Sequence, residues 1–158
     1  MGLLMLLVFH FGWAKPVPVN PRYFKNPKLG MSITAFAGPF CNLLITAVFL
    51  FFYGLFYKAL ATSFAGSLVL EIIEMTAVIS LGMCIFNLIP LPPLDGSKIM
   101  AVLLPDRLYD KLMRYERYGM ILLVVLVWTG LLGRPFSRLI SNVFKSLMMI
   151  ARFSSGLV

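Results

Sequence analysis

Charge, histidine and cysteine are all scarce in this chain, and each scarcity excludes something. Only 13% of the 158 residues are charged, about half the ~25% of a soluble domain. With 60% hydrophobic residues and a mean hydropathy of +0.92, the expected solvent is the lipid bilayer. Asp and Glu number 6 against 14 Lys and Arg, a net charge of +8. Such an excess would suit nucleic acid if it formed one surface. Here it is divided between apolar runs, with Lys15, Arg22, Lys25 and Lys28 after the first and Lys98, Arg107, Lys111, Arg114 and Arg117 after the third. That pattern fits cytoplasmic loops facing anionic lipid, and no nucleic-acid partner is expected. Cys41 and Cys84 lie inside apolar segments without a pairing signature and read as small packing residues. Residues Met1 to Phe11 have the length of a signal-peptide core. No basic region precedes them and no small-residue cleavage site follows, so they are expected to be the rear of a membrane helix. Repeats and low-complexity segments are missing as well.

What is present is a series of four apolar stretches. Gly2 to Trp13 is too short to cross a bilayer, which takes roughly 20 residues. A connector from Ala14 to Leu29 carries Pro16, Pro18, Pro21 and Pro27, which oppose helix and favour an extended, re-entrant or edge-strand backbone. The second stretch, Met31 to Tyr57, is about 40 Å long as a helix, beyond the ~30 Å hydrocarbon core. It is expected to tilt or to break at Gly38-Pro39. The third runs from Ser67 to Pro90, with Glu71 and Glu74 near its front on one face. The fourth, Tyr118 to Gly133, is just long enough to span with help from flanking groups. Beyond Arg134, Phe136, Leu139, Ile140, Val143, Phe144, Leu147 and Ile150 recur at helical spacing opposite Arg138, Ser141, Asn142, Lys145, Ser146 and Arg152. This pattern predicts an amphipathic helix, either in the interface plane or packed on a partner helix.

The predicted fold is therefore an all-α membrane protein. It has three transmembrane helices, a partial N-terminal helix, an extended Pro-rich re-entrant loop and a C-terminal amphipathic helix. Residues 1–104 are expected to form a membrane core, and residues 105–158 a further transmembrane helix with the amphipathic tail. Loops 15–28 and 98–117 hold nine basic residues against only Lys58 in 58–66, which predicts that both are cytoplasmic. A spanning fourth stretch would put the basic tail on the outer side, so either that stretch is re-entrant or the early spans set the topology.

The most informative run is Phe86-Asn87-Leu88-Ile89-Pro90-Leu91-Pro92-Pro93-Leu94-Asp95-Gly96. It sets a carboxylate, a carboxamide and three prolines at the end of an apolar stretch. Broken backbone at membrane depth persists only where protein buries it or water wets it. An ionisable group there points to a functional site. The plainer reading, Asp95-Gly96 as a surface turn, does not account for the preceding Asn and prolines.

Together with Gly12-Trp13-Ala14-Lys15-Pro16-Val17-Pro18-Val19-Asn20-Pro21 and Ala37-Gly38-Pro39-Phe40-Cys41-Asn42, this run resembles the site-2 protease family of intramembrane zinc metalloproteases, in its compact bacterial or archaeal form. The resemblance covers roughly residues 1 to 104. It implies an integral protein of a bacterial or archaeal cell membrane that cleaves transmembrane protein substrates. In that family a His-Glu-x-x-His helix supplies two Zn2+ ligands and the general base, and the Asp of a Leu-Asp-Gly motif completes the site. Asp95 matches that Asp and is the expected metal ligand. The chemistry requires three protein ligands and an open position, with the metal activating a water. Gly96 would let the chain turn without crowding the metal. The resemblance makes Asn42 and Asn87 supports for the substrate or oxyanion; the alternative is that each amide satisfies broken-helix carbonyls. Trp13 to Pro21 looks like the family's membrane-associated loop, or else an interfacial anchor and linker.

One departure is serious. His10 is the sole histidine and no His-Glu-x-x-His occurs. His10 reads as a helix-end or interfacial residue, and Glu71 and Glu74 have no neighbouring His. An N-terminally truncated fragment, its metal-binding helix just upstream, is therefore expected. The 158 residues alone are expected to be catalytically silent and to bind no zinc. A non-catalytic relative that binds membrane segments is the alternative, and a small transporter or channel subunit is a more distant one.

Overall fold

The computed structural model describes residues 19–105, 107, 108, 111 and 116–156. His10, Trp13, the partial first helix and the front of the Pro-rich connector lie outside those residues. Among the described residues the fold is all helical: a 3-10 turn at Pro21–Tyr23, then α1 (Pro27–Leu60), α2 (Phe64–Asn87), α3 (Asp95–Ala101), α4 (Glu116–Trp128) and α5 (Gly133–Ser155).

The described part of the connector is not an extended strand. Asn20 accepts a hydrogen bond from the Arg22 amide at 3.0 Å and opens the 3-10 turn. Asn26 does the same for Leu29 at 3.2 Å and opens α1, with Pro27 as its first residue. Pro27 thus starts a helix rather than preventing one, because the first-turn amide it lacks has no intrahelical acceptor.

The expected break at Gly38-Pro39 is also absent. α1 runs for 34 residues straight through Pro39, about 51 Å at 1.5 Å per residue. Pro39 is buried on the same seam as Ser32, Ala35, Thr46, Leu50 and Gly54. Packing against neighbouring helices keeps a proline-containing span continuous where an isolated helix would kink. That seam meets Gly66, Leu70, Ala77, Leu81 and Cys84 of α2. The hairpin is antiparallel and turns at Ser63, whose hydroxyl caps α2 by accepting from the Gly66 amide at 3.1 Å. Small residues bring the two backbones close enough for the Thr46 hydroxyl to donate to the Ala77 carbonyl at 3.3 Å. Ile33, Phe36, Phe40, Leu44, Val48, Phe52 and Leu55 point away from the protein, as lipid-facing residues do.

α1 and α2 are each long and apolar enough to cross a membrane. Among the described residues a third crossing arises only if α4 and α5, which meet at an 85° bend, count as one broken span. Of the fourth apolar stretch, residues 118–128 lie in α4 and the remainder leads through the bend into α5. Gly119 in the first turns of α4 lies directly against the Pro92 backbone.

α5 has the predicted amphipathic character, and it packs on partner helices. Phe136 meets Phe86 edge-on at 5.9 Å, Ile140 lies against Gly82, Ala151 lies against Gly54, and the Ser154 hydroxyl donates to the Phe51 carbonyl at 2.9 Å. These contacts climb from the C-terminal end of α2 to the C-terminal half of α1, so α5 lies lengthwise along the hairpin for roughly 22 Å between residues 136 and 151. Gly156, at φ 65°, ends it in the left-handed conformation.

Candidate metal-ligand site

The prolines after Asn87 remove the amides a helix would need, so α2 ends there. The Leu88 amide still bonds the Cys84 carbonyl at 3.1 Å, and the chain then folds back through Leu91 to Ile89 (2.8 Å) and Leu94 to Leu91 (2.9 Å), with Pro92-Pro93 cis. Buried Pro92 and Leu94 anchor this turn. Asp95 follows as the first residue of α3, and the buried Ser97 hydroxyl donates to the Leu94 carbonyl at 2.8 Å.

α3 is laid on α1. The Ser32 hydroxyl donates to the Ile99 carbonyl at 3.3 Å, and the Lys28 ammonium donates to the Leu104 carbonyl. This docking directs the half-buried Asp95 carboxylate onto Gly38, where a Cβ added to Gly38 would stand 3.5 Å from Oδ2. That is ordinary van der Waals distance, so an alanine at position 38 would fit beside the carboxylate. Asn42 is one turn further along α1 and half-buried, and Asn87 is the half-buried last residue of α2. The fold therefore sets Asp95 beside the Gly38–Asn42 turn and joins it to Asn87 through the proline loop. Among the described residues, no hydrogen bond links these three side chains.

Gly96 is fixed by packing. A Cβ there would overlap the carbonyl oxygens of Leu88 and Ile89. Gly96 is therefore required so that α3 can close on the end of α2. Ser32 was missed at the sequence level, although its place on the seam with Ala35, Pro39 and Thr46 was a readable sign that this face of α1 is covered. Among the described residues, no three His, Cys, Asp or Glu side chains converge. A hydrolytic zinc needs three protein ligands, so the described residues do not by themselves fit it. Asp95 offers one carboxylate.

Residues 12–131 match Peptidase family M50. The chain is also similar to "Putative zinc metalloprotease YwhC" of Bacillus subtilis (strain 168), at 36% identity over 133 residues covering 82% of this chain and 60% of that protein. No solved structure matches. The chain belongs to the M50, or site-2, family of membrane zinc metalloproteases. It spans about 60% of the length of its Bacillus relative.

Proposed function

We propose that these residues form one side of the catalytic centre of an intramembrane zinc metalloendopeptidase acting on transmembrane substrates, with Asp95 as one zinc ligand. The observation that carries this reading is the half-buried Asp95 carboxylate beside Gly38 of α1, at the end of a proline-broken apolar segment. An ionisable group next to membrane-embedded helices marks a candidate functional site, although a carboxylate in the first turn of α3 also favours that helix. In this reading the amides of Asn42, one turn beyond Gly38 on α1, and of Asn87, at the end of α2, hold an extended peptide. The two imidazoles and the general base of the family's chemistry are not among these 158 residues. The isolated chain is accordingly inactive.

The test has two arms. The purified 158-residue chain should retain no stoichiometric zinc and cleave no membrane substrate. A fusion placing a His-Glu-x-x-His helix ahead of residue 1 should bind one zinc per chain, and Asp95→Ala should abolish that binding without lowering helix content. Zinc bound equally well by the Asp95→Ala fusion would remove Asp95 from the site. The second reading, a non-catalytic relative that grips membrane segments, is favoured by the single histidine of the sequence. It predicts that the fusion captures a transmembrane peptide and leaves it intact.

A further inference from the structure

Where the end of α2 meets the start of α5, the surface opens into a groove of ≈ 440 Å³ lined by apolar side chains, among them Ile85, Pro90, Pro135, Leu139 and Val143. From Pro135 to Val143 it descends about 12 Å, from the level of the helix ends toward the middle of the hairpin. Its mouth adjoins a second cavity of ≈ 480 Å³, which shares Pro135 and is walled by Thr129, Gly130 and Arg134. Arg138 stands one turn beyond Arg134, on the same helix. Both arginines are exposed, and neither has an ion-pair partner among the described residues. From residue 117 to 158 the chain has five basic residues and no acidic one.

We infer that this groove is a binding site for one anionic phospholipid, with an acyl chain lying between Ile85 and Val143 and the phosphate meeting Arg134 and Arg138. The charge distribution along the hairpin supports that occupant. Because α1 and α2 are antiparallel and Phe136 pairs with Phe86, Arg134 lies at the same end as Lys25 and Lys98, which flank the start of α1 and lie on α3. The opposite end carries Lys58 and Arg152 together with Glu71 and Glu74, so its charges balance. An apolar channel that opens at the helix ends beside unpaired guanidinium groups matches an amphiphile with a negative head. A second copy is disfavoured, because it would set cationic α5 against cationic α5. The inference does not depend on the metal reading.

The experiment is native mass spectrometry of the full chain, released from micelles holding equal amounts of dioleoyl phosphatidylglycerol and dioleoyl phosphatidylcholine. One phosphatidylglycerol should be retained per chain in preference to phosphatidylcholine. At about fivefold for each arginine near a headgroup, R134Q/R138Q should reduce that preference roughly 30-fold. K58Q/R152Q removes equal charge elsewhere and should leave it unchanged. Val143→Trp fills the deep end and should lower retention of both lipids. Equal retention of the two lipids, an equal loss in K58Q/R152Q, or undiminished binding in Val143→Trp would each overturn the site. So would displacement of the lipid by inorganic phosphate, or a lipid-free dimer. Circular dichroism of each variant checks that the helices persist, and the unfilled groove of R134Q/R138Q keeps the test valid if Val143→Trp misfolds.

Discussion

Replacing Gly96 by alanine adds one methyl group at the point where α3 closes on the end of α2. That methyl would fall well inside the 3.0 Å that real Cβ atoms keep from their neighbours, against the carbonyl oxygens of both Leu88 and Ile89. Both obstacles are backbone, so no rotamer change relieves them, and the loop and α3 must separate by roughly 1 Å, an overpacking that costs ~1–3 kcal/mol. Alanine is a better helix former than glycine by up to ~1 kcal/mol. The net expectation is therefore a loss of ~1–2 kcal/mol. Gly133→Ala is the matched control, since nothing lies within 4 Å of its added Cβ. It should be neutral or stabilise by up to ~1 kcal/mol through the unfolded chain. Reversible unfolding in mixed micelles, followed by circular dichroism, measures both. In the zinc-binding fusion, the displaced Asp95 should weaken metal affinity roughly 10–100-fold. A Gly96→Ala protein as stable as Gly133→Ala, with unchanged zinc affinity, would refute the packing argument and the link from Gly96 to Asp95.

Two further substitutions test how the helices are held. Gly54→Ala drives a methyl into the Ala151 carbonyl and the Ser154 hydroxyl, so α5 should lift from α1 at a cost of about 2 kcal/mol. Hydrogen exchange of the amides near Ala151 should then accelerate roughly 30-fold, and unchanged protection would argue against the docked α5. Thr46→Val removes the bond to the Ala77 carbonyl at nearly constant volume and should cost only ~0.6 kcal/mol, the usual worth of an interhelical bond in a membrane. A loss of several kcal/mol in the same unfolding titration would mean that this hydroxyl does more than bridge two helices.

Much of the fold was legible because bilayer crossing writes itself in one dimension. Composition and run length marked α1 and α2 as membrane helices, and the Asn87–Gly96 run marked the turn that carries the candidate ligand. Periodicity after Arg134 predicted an amphipathic helix. Other features depended on contacts between residues far apart in sequence. Pro39 reads locally as a breaker, and it is the covering of the α1 seam by other helices that lets the helix continue. An amphipathic pattern is the same whether the apolar face meets lipid or another helix, and the Gly54–Ala151 approach decided for the helix. That Gly96 must lack bulk against the Leu88 and Ile89 carbonyls could not be read from its neighbours in sequence. Hydropathy, capping chemistry and motif identity act within a few neighbouring residues, so the sequence by itself determined the membrane class, the two long helices and Asp95 as candidate ligand. Close packing is non-local, and only the tertiary structure decided that this carboxylate lies beside Gly38 and that α5 stands along the hairpin.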